Sequence, residues 1–279
     1  MPSVLSTSKV LFGLLPSALA LQQVPSRLLT PRQSSSPSSG SASSCPNPQL
    51  SCSTSGSVNT CCVQSPGGVL LQTQLWDTNP STGPADSWTI HGLWPDLCSG
   101  SYTENCDSSR DYSSIQSILQ QDGDNTLLNY MNTYWVSDDE SNDDFWVHEW
   151  STHGTCISTL DPSCFSDYTT GEEVPPFFQT VVNLFKTLPT YTWLSNAGIT
   201  PGSSYALSDI QSALSNEHGG EVYLGCQDGS LYEVYYYFNA RGPVQNADFT
   251  AISAVGGTGN CPSTVTYAAK SQASSSAQS

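Results

Sequence analysis

The stretch Phe145 to Cys156, FWVHEWSTHGTC, gathers two of the chain's four histidines, a glutamate and two tryptophans. Imidazole and carboxylate groups at such density can bind zinc, move protons near neutral pH or hold an anion. The run looks at first like the H-E-x-x-H helix of zinc proteases, whose two histidines stand four apart and meet one ion. His148 and His153 stand five apart. At about 100° per residue that places them about 140° apart around a helix, so they cannot chelate one ion as such a pair does. What does line up at i and i+4 is His148 with Thr152 and Glu149 with His153, giving one continuous polar face. Phe145, Trp146 and Trp150 flank that face, and Gly154 and Cys156 end and anchor the helix. Apolar surroundings of this kind favour a fixed site over a merely solvated surface.

His91, in WTIHGLWPDLC, is the second candidate. On a strand Ile90 and His91 point to opposite faces, so Ile90 can enter the core while His91 faces a cleft. Gly92 then lets a ligand come close to the backbone. The fourth histidine, His218 in NEHGGE, reads as a surface turn without a role.

These segments need a scaffold. Gly67 to Trp76 and Ser87 to Trp94 read as strands, and Tyr112–Gln121, Asn125–Trp135 and Val174–Leu188 carry apolar residues at helical spacing. After Gly220 the pattern returns to strands, EVYLGC, LYEVYYYF and CPSTVTY. Helices mixed with strands that do not alternate with them indicate an α+β domain with an antiparallel sheet.

The chain opens with Lys9, an apolar run and the small-residue pattern Ala18-Leu19-Ala20, so residues 1–20 read as a secretory signal peptide. Residues 21–44 are Ser- and Pro-rich and read as a pro-segment or linker; 45–267 form one domain, and 268–279 are expected to be a flexible tail. All ten cysteines lie in the domain, which after a signal peptide argues for five disulfides in an oxidising compartment. There is no Cys-x-x-Cys pair, which disfavours a thiolate zinc site. Three of the seven Lys and Arg lie in the leader and all 24 acidic residues follow it, so the rest carries 4 minus 24, or −20. A polyanion-binding protein with that charge must hold phosphate without the usual basic patch.

WTIHGLWPDLC and FWVHEWSTHGTC resemble the two active-site segments of the ribonuclease T2 family, secreted acid ribonucleases best known from fungi. Their order and spacing, the ten cysteines, the TYW before the second segment and the Tyr-rich C-terminal strand all fit. The resemblance implies an α+β fold with disulfides Cys45 to Cys62, Cys52 to Cys98, Cys61 to Cys164, Cys106 to Cys156 and Cys226 to Cys261. It implies His153 as general base, His91 as general acid, His148 as phosphate ligand and Glu149 as an aid to the transition state. It also implies a pocket of Trp94, Asp96 and Tyr102 for the base on the 5′ side, with Val136, Ser137, Asp138 and Asp139, together with Phe145, at the second base. Single-stranded RNA is then the substrate and DNA is not; no cofactor, metal or membrane is called for, and a secreted monomer is expected, a vacuole-like compartment being the alternative.

One position departs from the family pattern: Thr152 stands where relatives usually carry lysine, so a permanent positive charge beside the phosphate is missing. A weakly active binding or defence protein is therefore the competing reading, and a metal-dependent hydrolase is a more distant one.

Overall fold

A computed structural model describes residues 45–53, 56–123 and 125–271. The signal peptide, the pro-segment and residues 272–279 lie outside the described residues. The seven strands β1 (Val69–Leu75), β2 (Thr89–Asp96), β3 (Ser203–Ala206), β4 (Tyr223–Gln227), β5 (Ser230–Arg241), β6 (Asp248–Ile252) and β7 (Thr264–Tyr267) form one sheet. Its backbone runs β2-β1-β5-β7-β3, with β4 and β6 also paired to the long β5. The pairing is antiparallel apart from a single parallel contact between β5 and β7, Ser230 opposite Thr266.

The expected helices appear as α1 (Ile115–Asp122), α2 (Asn125–Tyr134) and α4 (Val174–Lys186), with α3 (Asn142–Thr152) carrying the histidine stretch. The sequence reading did not find α5 (Thr190–Asn196), β3, α6 (Leu207–His218) or β6. Two short strands and a seven-residue helix have too few residues for a period to show, and α6 sits in polar sequence with only Ile210 and Leu214 fully buried. Among the described residues no helix is long and apolar enough to cross a membrane.

Between helices and sheet lies a core containing Trp76, Trp88, Trp135, Trp146, Trp150, Phe177, Phe178 and Tyr236, all fully or almost fully buried. β1 is central, between β2 and β5, and every residue of it is buried, including Gln72, Thr73 and Gln74. Burying these polar groups is tolerable because they are paired: Gln74 Nε2 donates to the Leu188 carbonyl (3.2 Å) and its amide oxygen accepts from Thr190 (2.6 Å). Disulfides join Cys45 to Cys62, Cys52 to Cys98, Cys61 to Cys164, Cys106 to Cys156 and Cys226 to Cys261. The adjacent Cys61 and Cys62 thus tie two separate segments to one point.

One expectation is corrected. His218 is not in a surface turn: it ends α6, is 7% exposed, lies 3.1 Å from the Tyr237 carbonyl and packs edge-on against Tyr236 and Phe238. Gly219 in the left-handed region closes that helix, so the glycines that suggested a turn form its cap. Just beyond β7, the Ala268 carbonyl accepts from the Trp76 indole and the Lys270 ammonium is buried.

Candidate active site

β2 and α3 position the site. In β2 the register slips against β1: Thr73 faces Gly92, while the next residue, Gln74, faces Ile90. His91 is the extra residue of a β-bulge, and a bulge re-aims a side chain. Alternation is offset there, so His91, Trp94 and Asp96 are the half-open residues on one edge of a strand otherwise buried from Ile90 on. Without the bulge His91 and Trp94, three apart, would lie on opposite faces. Instead their rings meet edge to face at 4.9 Å. The Thr73 hydroxyl fixes the bulge by accepting from the Gly92 amide at 3.0 Å.

α3 starts at Ser141, whose hydroxyl accepts from the Asp144 amide, and Asp143 and Asp144 place negative charge at its positive end. Its indoles are anchored at both ends: Trp146 donates to the Trp135 carbonyl (2.9 Å) and Trp150 to the Arg110 carbonyl (2.7 Å). His153 caps the C-terminus, and a Cβ on Gly154 would collide with the Trp150 ring. The Cys106–Cys156 disulfide holds the chain immediately beyond.

Glu149 points from this helix to the bulge and is fully buried. Its Oε2 accepts from Trp94 Nε1 at 3.0 Å, and its Oε1 lies 3.4 Å from His91 Nε2. Gly92 makes room for it, because a Cβ there would overlap the carboxylate. Burial pushes the Glu149 carboxyl up to about 8 and holds His91 down to about 4, with the charge of His148 acting in the same direction on His91. The resting pair is therefore neutral. His153 stacks on Trp94 at 4.8 Å and is held down to about 3, by burial first and by His91 and His148 second. Buried Nδ1 atoms of His91 and His153 have no hydrogen-bond partner. His91 thus joins the two elements, meeting Glu149 of α3 on one side and Trp94, with His153 stacked on it, on the other.

A cavity of about 250 Å³ opens beside them, lined by His91, His148 and Phe145, by Val136, Ser137, Asp138, Asp139 and Glu140, and by Leu75, Asp77 and Tyr232. The structure thus brings the segment Val136 to Asp139 and Phe145 together with two of the histidines. Asp77, Glu140, Leu75 and Tyr232 are additions to the sequence reading; a carboxylate directly after the apolar run of β1 is the signal that could have found Asp77. On the other side, burial raises Asp96 to about 6, while Tyr102 is 70% exposed and stands away from the packed aromatics. One face of Trp94 is already covered by His153 and its edge region by Tyr235.

No Lys or Arg of the described residues lines the cavity. Arg110 is buried against Asp107 and the carbonyls of Leu160 and Thr155, Lys186 sits over the Tyr130 ring, Arg241 reaches the Pro48 carbonyl and Lys270 is enclosed by three carbonyls. Thr152, at 8% exposure, brings no charge.

The Ribonuclease T2 family model matches residues 67–249. The chain is 54% identical over 226 residues to ribonuclease Trv of Hypocrea rufa, covering 80% of this chain and 97% of that protein. It is 56% identical over 214 residues to ribonuclease M of Aspergillus phoenicis, covering 75% and 85%. Among solved structures, Actibind, a T2 ribonuclease, superposes with a TM-score of 0.79 at 49% identity, covering 84% of this chain and all of that one. RNase NT in complex with 5′-AMP superposes with a TM-score of 0.54 at 26% identity, covering 72% and 97%.

Proposed function

Because the chain belongs to the ribonuclease T2 family and is an endoribonuclease of that type, we propose that it cleaves single-stranded RNA without a metal and with little base preference, through a 2′,3′-cyclic phosphate. The observation that carries this reading is the joining of β2 to α3 at the buried Glu149, which meets His91 and Trp94, with His153 stacked on Trp94 and with His91 and His148 lining a cavity of about 250 Å³. In the first step His153 takes the proton of the 2′-hydroxyl as its oxygen attacks phosphorus. His91 gives a proton to the departing 5′-oxygen. His148 holds the phosphate, and Glu149, kept neutral by burial, steadies the crowded phosphorane beside it. In the second step water replaces the leaving nucleoside, the two imidazoles exchange roles, and a 3′-phosphate results. DNA, which has no 2′-hydroxyl, is not a substrate.

The base 5′ to the scissile bond goes to Trp94, Asp96 and Tyr102, and the base 3′ to it to the cavity of Val136, Ser137, Asp138 and Phe145. Stacking holds both, so sequence matters little. The cavity's contact with His91 supports this placement, because a base there would stand next to the oxygen that leaves. The 5′-AMP in RNase NT agrees with a nucleotide-sized site in that neighbour. The reading places the protein outside the cell as a monomer, or in a vacuole-like compartment. The test is a dinucleotide incubated with excess chelator at about pH 4.5, where His153 is neutral and part of His91 still carries its proton. Cyclic phosphate should appear at the same rate with and without chelator. No product, together with an equally inert His91→Ala variant, would favour a weakly active binding or defence protein.

That second reading draws on Thr152. With no Lys or Arg on the cavity, positive charge at the phosphate comes from protonated histidine alone. Thr152→Lys is expected to raise kcat/KM about tenfold or more, chiefly on the neutral side of the profile, since one well-placed donor to a developing anion is worth that much. A variant no faster than the parent at any pH would mean that the charge is supplied elsewhere.

A further inference from the structure

The chain beyond Tyr267 crosses back over the loop between β1 and β2. Trp76 Nε1 donates to the Ala268 carbonyl at 2.8 Å, and the Ser81 and Ser271 hydroxyls stand 3.0 Å apart. Lys270 is 8% exposed, its Nζ 4.4 Å from the centre of the Trp76 ring. It donates to the carbonyls of Thr82 (2.7 Å), Ser87 (2.8 Å) and Pro84 (3.2 Å). All three ammonium protons are thus spent on one loop, a geometry a small, pointlike charge can satisfy.

That loop is also a wall of the cavity beside His91. The Thr82 hydroxyl donates to Asp77 Oδ2, and Asp77 lines the cavity at 4% exposure with a buried Oδ1 that has no partner. Gly83, the next residue, packs so closely that a Cβ would clash with Thr89 and come within 3.9 Å of Val136, which also lines the cavity. A continuous set of contacts therefore runs from the Lys270 ammonium through Thr82 to the carboxylate in the pocket.

We propose that Lys270 is a positioning residue for the base 3′ to the scissile bond: by clamping residues 82–87 it sets where Asp77 and Val136 stand in the cavity. This rests on the reading above that the cavity holds that base. A plain structural staple makes a different prediction, and the two steps of the reaction separate them. Dinucleotide cleavage needs the leaving nucleoside in the cavity. Hydrolysis of a nucleoside 2′,3′-cyclic phosphate uses the same histidines with water in the nucleoside's place, so the cavity is empty of base.

Both reactions should be measured on the full chain for Lys270→Met, Lys270→Arg and Thr82→Val. Lys270→Met is expected to raise KM for the dinucleotide about tenfold, as small misplacements of a bound group do, with cyclic phosphate hydrolysis changed by no more than about twofold. Lys270→Arg, which can donate to the same carbonyls, should recover part of the loss. Thr82→Val leaves the ammonium and its three carbonyls in place, breaks only the link to Asp77, and should reproduce the selective rise in KM even if Lys270→Met does not fold. Equal losses in both reactions, or a lowered Tm with both reactions intact, would overturn the proposal. A parent enzyme inert toward both substrates would instead overturn the ribonuclease reading on which it rests.

Discussion

Replacing His91 by glutamine will lower kcat/KM for a dinucleotide about 10³-fold, within the range of a general acid's contribution. Glutamine keeps the bulk on the β2 bulge and can still reach Glu149, which Nε2 of the histidine approaches to 3.4 Å, but it cannot supply a proton. The departing 5′-oxygen of a nucleoside is a poor leaving group and needs that proton as its bond to phosphorus breaks. A nucleoside 3′-phosphate esterified with p-nitrophenol does not, because nitrophenolate leaves unaided. With that substrate the loss should shrink to about tenfold or less, which isolates proton donation from phosphate binding. Cyclic phosphate hydrolysis should retain the full loss, because there the same imidazole takes a proton from water. Equal losses on both esters would remove His91 from the role of acid and leave it a ligand of the phosphate.

Why His91 can play that part was only half legible in the sequence. The alternation rule placed Ile90 inward and His91 toward a cleft, and the burial of the two agrees. It did not show that His91 and Trp94 would share a face, because a period of two sets residues three apart on opposite sides; the extra residue at the bulge is a property of the pairing with Thr73 and Gln74 of a distant strand. On α3 the helix itself was legible, and Glu149 stands one turn before His153, whose amide donates to the Glu149 carbonyl. Burial of Glu149 to zero exposure was less accessible, since it depends on Gly92 giving up its side-chain volume on another element. The burial of His218 and Lys270 was hidden for a related reason. Short polar surroundings look like surface in one dimension, whereas one ring is packed between Tyr236 and Phe238 and one ammonium is enclosed by three carbonyls brought in from a loop far up the chain. The fold class and the helices with clear apolar stripes needed no such long-range information.

The pH profile gives the second large effect. Catalysis as proposed requires His153 neutral and His91 protonated at the same time. Burial holds His153 down to about 3, with His91 and His148 adding to it, and holds His91 down to about 4. The base is therefore available above about 3 and the acid is charged below about 4, so kcat/KM should form a bell on the acid side. Beyond its alkaline limb the rate should fall about tenfold per pH unit, as the protonated fraction of a single acid does. Glu149 does not counter this, because burial raises it to about 8 and leaves it neutral through the working range, without the negative charge that would pull His91 upward. A bound phosphodiester does carry that charge, so both limbs of kcat should lie at higher pH than those of kcat/KM. The −20 charge of the region after the leader acts in the same direction, since less net negative charge at acid pH lessens repulsion of RNA and lowers KM. Initial rates on a dinucleotide from about pH 3 to about pH 8 at constant ionic strength test this, and a profile that stays flat or rises toward pH 8 would rule out His91 as a buried, low-affinity acid.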